Sequence, residues 1–140
     1  MADPSTAAAI GAALAVARMR ATRLHLLELH KTLVDAERER YERMHGRVDN
    51  PHQMLQLLLQ DPWFAWLRPM SALIVQADER MADKVPLQMT EARALGDQVR
   101  RMLDGDGAAP GFRDAYHRLL QESPEVVMAH GRLLAHLNES

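Results

Sequence analysis

Apolar residues recur at helical spacing along nearly the whole chain. In the first stretch Ala7, Ile10, Leu14 and Ala17 fall three and four residues apart, and Leu26, Leu27, Leu33, Val34 and Met44 form a stripe further on. Between Pro62 and Lys84, at about 100° per residue, Trp63, Trp66, Met70, Leu73, Ile74, Ala77 and Met81 share one face. Phe64, Leu67 and Val75 lie on the other side, and a helix apolar on both sides belongs in the middle of a bundle.

The punctuation between these runs is regular. Asp3-Pro4, Asn50-Pro51, Asp61-Pro62 and Ser123-Pro124 each set a capping side chain before a proline. The capping oxygen takes a free backbone N–H, and the proline stands where none is needed. Asn50 and Gln53 have the spacing of a capping box. Gly46, Val85-Pro86 and the run Asp104 to Gly107 are stops.

These signals predict helices over Ser5–His45, Pro51–Gln60, Pro62–Lys84 (bent or divided at Pro69), Thr90–Leu103, Gly111–Gln121 and Pro124–Leu137. The expected fold is a single all-α domain over residues 1–140, a bundle of five to six helices. A long N-terminal helix spans it and the Trp-bearing helix is central. The starts are irregularly spaced, so no solenoid is expected.

Composition agrees. Ala (21) and Leu (20) far outnumber Val, Ile and Thr, the residues that favour strands. No cysteine is present, which removes disulfides and thiolate chemistry. Length adds a difficulty. A forty-residue helix is about 60 Å long, whereas a compact chain of this size is roughly 37 Å across. The helix must break near Ala21-Thr22, fray over its Ala-rich arm (residues 1–20), or be covered by a second subunit. A homo-oligomer, in the simplest case a dimer, is the expectation.

The net charge of −2 and pI near 6.4 leave no basic surplus for nucleic acid, and the cluster Arg18, Arg20, Arg23 is too small for such a footprint. Asp3 precedes the apolar run at the N-terminus and the arginines follow it, the reverse of a secretory signal. No run approaches the ~20 apolar residues of a membrane span. A cytoplasmic protein without membrane or nucleic-acid partners is expected.

Seven histidines are the compositional oddity. On the first helix His30, Glu37 and Tyr41 fall on the midline of the Leu26–Met44 stripe; on the sixth, His130 sits among Val126, Leu133, Leu134 and Leu137. Two readings follow. His30, Glu37, Tyr41 and His130 could converge on iron or haem, since inward carboxylates and imidazoles build di-iron bundles. That pattern wants two Glu-x-x-His copies, whereas Glu42-x-x-His45 stands at a helix end and Asp114-x-x-His117 points to solvent. The other reading makes the histidines hydrogen-bonded core residues, pairs Glu37 with a basic neighbour, and sets His45 on its own helix C-terminus.

Trp63, Trp66 and Met70 could line an apolar ligand pocket or simply fill the core. The charged run from Asp35 to Arg43 offers Asp35–Arg38, Arg38–Glu42 and Glu39–Arg43 on an exposed helix face, or a ridge for a partner. Asp104 to Gly107 lacks the further ligands of a calcium loop and is expected to be a turn. Four serines, none in a nucleophile elbow, and no phosphate loop speak against hydrolase, kinase or dinucleotide chemistry.

The block HKTLVDAERERYERMHG (His30 to Gly46) and the stretch Leu57–Glu79, with its core DPWFAWLRP, resemble a pattern in small uncharacterised bacterial helical proteins. The resemblance implies a bacterial, cytoplasmic, all-helical protein and carries no function. The expectation from the residues is a non-catalytic binding or interaction protein, self-associating and without a cofactor. The iron or haem bundle is its alternative.

Overall fold

A computed structural model describes residues 3–106 and 109–139. Among the described residues there are six α-helices and no strand. The elements are α1 (Pro4–His45), α2 (Pro51–Gln60), a 3-10 turn (Pro62–Leu67), α3 (Arg68–Ala82), α4 (Met89–Leu103), α5 (Phe112–Glu122) and α6 (Pro124–Leu137). The all-α single-domain expectation is met.

All four Asp/Asn/Ser-Pro signals start helices as their chemistry requires. Asp3 accepts from the Ser5 amide at 3.3 Å, Asn50 from Gln53 at 2.8 Å, Asp61 from Trp63 at 2.8 Å and Ser123 from Val126 at 3.3 Å. The Gln53 side chain reaches back one residue further than a capping box would place it, accepting from the Asp49 amide at 3.3 Å. Gly46 ends α1 at φ 88°, a conformation glycine adopts without Cβ strain, and its amide bonds to the Glu42 carbonyl. Gly107 and Ala108, part of the expected turn after α4, lie outside the described residues.

The Trp-bearing segment is divided, with the break falling just before Pro69. Proline has no N–H to give and its ring crowds the carbonyl four residues back, so Pro69 sits in the first turn of a new helix. The segment before it winds as a tighter 3-10 turn. That change of pitch rotates the side chains off the α-helical wheel: Phe64 and Leu67, expected on the far side, are fully buried, and Trp63 parts company with Trp66.

Helix α1 is the axis of the fold. Its 42 residues run unbroken through Ala21 and Thr22 for about 63 Å. The helices α6, α4 and α3 pack along it. Antiparallel α6 is fastened by Arg18 donating to the Glu139 carbonyl at 3.0 Å near one end and by the Glu28–Arg132 ion pair further along. Arg23 pairs with Asp78 on α3 at 2.9 Å. Arg80 grips Glu91 through two hydrogen bonds of 2.7 and 2.8 Å and donates to the carbonyls of Val85 and Pro86, pinning the α3–α4 connection against the start of α4. The core packs Phe64, Trp66, Met70, Phe112 and Tyr116 against Leu26, Leu29 and Leu33 of α1.

Candidate functional site: the two faces of the long helix

The inward face of α1 is the line Ala15, Met19, Thr22, Leu26, Leu29, Leu33 and Glu37, all buried. Its spacing of four, three, four, three, four and four keeps the line on one side of a straight helix. Relative to the stripe read from sequence the buried face is rotated toward Leu29. Leu27 and Val34 are only partly buried, and Met44 is 73% exposed.

Two polar residues on this face are satisfied by name. Glu37, 3% exposed, accepts from the Trp66 indole N–H at 2.8 Å and from Arg40 at 3.1 Å. Arg40 also lies 6.0 Å over the Trp63 ring. Thr22 donates to the Arg18 carbonyl at 3.1 Å, so its oxygen accepts from His136 Nε2 at 2.8 Å. His136 is stacked on His25 with ring centroids 4.9 Å apart. Burial holds its pKa below the usual histidine value, helped by positive charge on His25 and Arg18 and opposed by Glu139.

The four groups proposed from sequence as converging ligands lie in separate partnerships. His30 is half-buried with Ser71 Oγ at 3.5 Å, and burial lowers its pKa. His130 lies 2.5 Å from the Tyr116 hydroxyl, with its pKa lowered and that of the buried phenol raised. With both groups neutral, the phenol O–H donates to Nδ1. Tyr41 packs between His45 and Trp63, its ring 4.4 Å from the imidazole and 5.7 Å from the indole. Among the described residues no three His, Asp or Glu side chains gather closely enough to hold a metal ion. His30, Glu37 and His130 are therefore not brought together.

Other sequence expectations are met. Glu37 has its basic neighbour, and His45 Nδ1 donates to the Tyr41 carbonyl at 3.3 Å, at its own helix C-terminus. Asp114 and His117 are exposed. Of the expected pairs in the charged run, Arg38–Glu42 forms at 3.6 Å. Met70 is fully buried and Trp66 lies edge-on to Phe112, so these two are core. Trp63 faces Tyr41 and His45 instead of joining them in a pocket. Sequence reasoning missed Thr22 and His136. The signal was available, because His136 follows Ala129 by seven residues and Leu133 by three, the spacing of a shared face.

The outward face of α1 carries a second apolar line, Ala7, Ile10, Leu14, Ala17, Ala21 and Leu24 at spacings of three and four, exposed except at half-buried Ala21. At 100° per residue it lies about 135° around the helix from the buried line. Ile10, Leu14 and Leu24 are 55%, 58% and 52% exposed. From Pro4 to Ala17 there is no charged residue, and the described residues before Ala15 are exposed apart from half-buried Ala12. Beyond Leu24 the same line reads Glu28 and Lys31, so the apolar face stops where the bundle thickens around α1.

No family model, no curated protein and no solved structure matches this chain. No helix in the described part is long and apolar enough to cross a membrane.

Proposed function

We propose that the protein is a non-catalytic interaction protein of helical-bundle type, self-associating, with the outward face of α1 as its docking element. One observation carries the reading: an apolar line of coiled-coil spacing, with its three large residues more than half exposed, on a helix whose other face is buried from Ala15 onward. Other large exposed apolar residues stand as a single pair on α2 (Leu55, Leu59), as neighbours on α6 (Val127, Met128) or alone. None of them extends over more than two residues.

The buried polar groups favour structure over chemistry. Glu37, His30 and His130 each have a hydrogen-bond partner within the bundle, which supports a structural role for them over the iron or haem alternative. A bacterial cytoplasmic setting belongs to the proposal, resting on the resemblance of residues 30–46 and 57–79.

Sedimentation equilibrium across micromolar concentrations tests it. The expected result is a mass approaching twice 15.8 kDa, returning to the monomer value in Ile10→Ser/Leu24→Ser. A monomer mass throughout for the wild-type chain overturns the reading.

A further inference from the structure

Resting on that reading, we infer that the occupant of the outward face is α1 of a second copy, packed antiparallel about a two-fold axis beside Ala15 and Val16. The six seam residues alternate in size in a way that fits their own reversal. In this register Ile10 lies opposite Ala21, Leu14 opposite Ala17 and Leu24 opposite Ala7, so every large side chain meets a small one. A parallel pair would set Ile10 on Ile10 and Leu14 on Leu14, with Ala17 on Ala17 and Ala21 on Ala21, alternately too wide and too narrow for close packing.

Charge selects the same arrangement. All the basic residues in the first two-thirds of α1 lie C-terminal to its uncharged run. Antiparallel pairing brings Arg18 and Arg20, which flank the seam, level with Ala13 and Gly11 of the other copy. These are small and uncharged, and space around Gly11 is open to 4 Å. Parallel pairing would instead bring Arg18 and Arg20 of the two copies together. Asp3 comes level with Glu28, whose charge is taken up by Arg132, and lies one turn from Lys31. Opposed helix dipoles add a favourable contribution.

The bundle body lies on the far side of each α1 from the seam, so the two bodies fall on opposite sides of the paired helices. Six seam residues a side are fewer than the roughly 20–30 of a standard stable interface. The dimer is therefore expected to exchange at micromolar concentration.

Cysteine cross-linking reads the register, since the chain has no cysteine of its own. Ile10→Cys and Ala21→Cys are made singly, and each is oxidised alone and as a mixture. Antiparallel pairing leaves the two copies of residue 10 about 16 Å apart, beyond the ~7 Å limit of a disulfide, and juxtaposes residues 10 and 21. The expected result is a covalent dimer from the mixture and none from either variant alone. A covalent dimer from either variant alone overturns the inference. So does a dimer by sedimentation that forms no cross-link in the mixture, and in that case self-association itself stands. A monomer by sedimentation removes both.

Ala17→Leu supplies a second readout, at an exposed site where the monomer fold is not at stake. Antiparallel packing drives the added side chain into Leu14 and weakens the dimer by about tenfold. Unchanged or tighter association, as Ala17 facing Ala17 would give, overturns the inference.

Discussion

The two faces of α1 make opposite use of the same residue spacing. The inward line from Ala15 to Glu37 includes a threonine and a glutamate, on a helix packed by five other elements. The outward line from Ala7 to Leu24 is wholly apolar and, apart from half-buried Ala21, exposed. Polarity of the residues therefore does not separate inside from outside on this helix. What separates them is whether a partner exists: Trp66 and Arg40 for Glu37, His136 for Thr22, and within one copy none for Ile10 or Leu14. A buried polar group with its hydrogen bonds made is compatible with a stable core, while an ordered apolar line in water is the feature that calls for a function.

The contrast breaks most sharply at the centre of the inward face. Leu33→Ala removes a fully buried side chain and is expected to destabilise by about 3 kcal/mol, read as a fall in urea midpoint with unchanged slope. An effect below 1 kcal/mol would mean that α1 is not the packed axis described above. Glu37→Leu follows, at about 2 kcal/mol: it keeps the volume roughly constant, leaves the buried Trp66 indole N–H unpaired and takes from half-buried Arg40 its nearer carboxylate. Glu37→Gln is expected to cost less, because an amide oxygen still accepts from Trp66. Equal losses for Leu and Gln would show that the indole bond contributes nothing.

How much of this was legible in the sequence depends on what each feature needed. Helix ends were readable because a cap is a local event: Asp3, Asn50, Asp61 and Ser123 act on amides within three residues of themselves. The division before Pro69 was readable for the same reason. The phase of Trp63 was not, since a six-residue stretch of 3-10 pitch shifts each side chain off the α-helical wheel, and nothing in PWFAWL announces the tighter turn. The fate of Glu37 needed a long-range fact, the arrival of Trp66 from 29 residues away. Spacing alone could say that Glu37 pointed inward but not what it would meet, and so left a metal ligand and an ion-paired core residue side by side. The outward seam was half legible: Ala7, Ile10, Leu14 and Ala17 stood out, but its continuation to Ala21 and Leu24 emerges only once the inward face is fixed at Leu26 and Leu29.

A smaller effect distinguishes the faces by pH. His30, His130 and His136 all belong to the packed side of the molecule, and burial lowers the pKa of each. Above about pH 6.5 folded and unfolded chains are both neutral at these positions. As the pH falls through that value the unfolded chain takes up protons that the folded chain resists, so stability declines toward acid. The slope is up to about 1.4 kcal/mol per pH unit for each histidine held neutral. Urea midpoints between pH 7.5 and 5.5 should fall, and fall less in His136→Gln. A flat profile would mean that these rings are protonated within the fold.

The smallest effect is also the most discriminating. Ile10→Ala and Leu14→Ala each remove as much hydrocarbon as many core truncations, yet both side chains are more than half exposed. At concentrations where the protein is monomeric, each should change unfolding stability by less than about 0.5 kcal/mol, six times less than Leu33→Ala. The same variants should lower the apparent melting temperature at high concentration, because a dimer that binds only folded chains adds stability by mass action and these substitutions weaken it. A concentration-independent loss as large as that of Leu33→Ala would place Ile10 and Leu14 in the monomer's own core, and the distinction between the two faces of α1 would collapse. A concentration-dependent loss alone assigns them to contact between copies, which is where an ordered apolar line on a helix too long for its own bundle has reason to be.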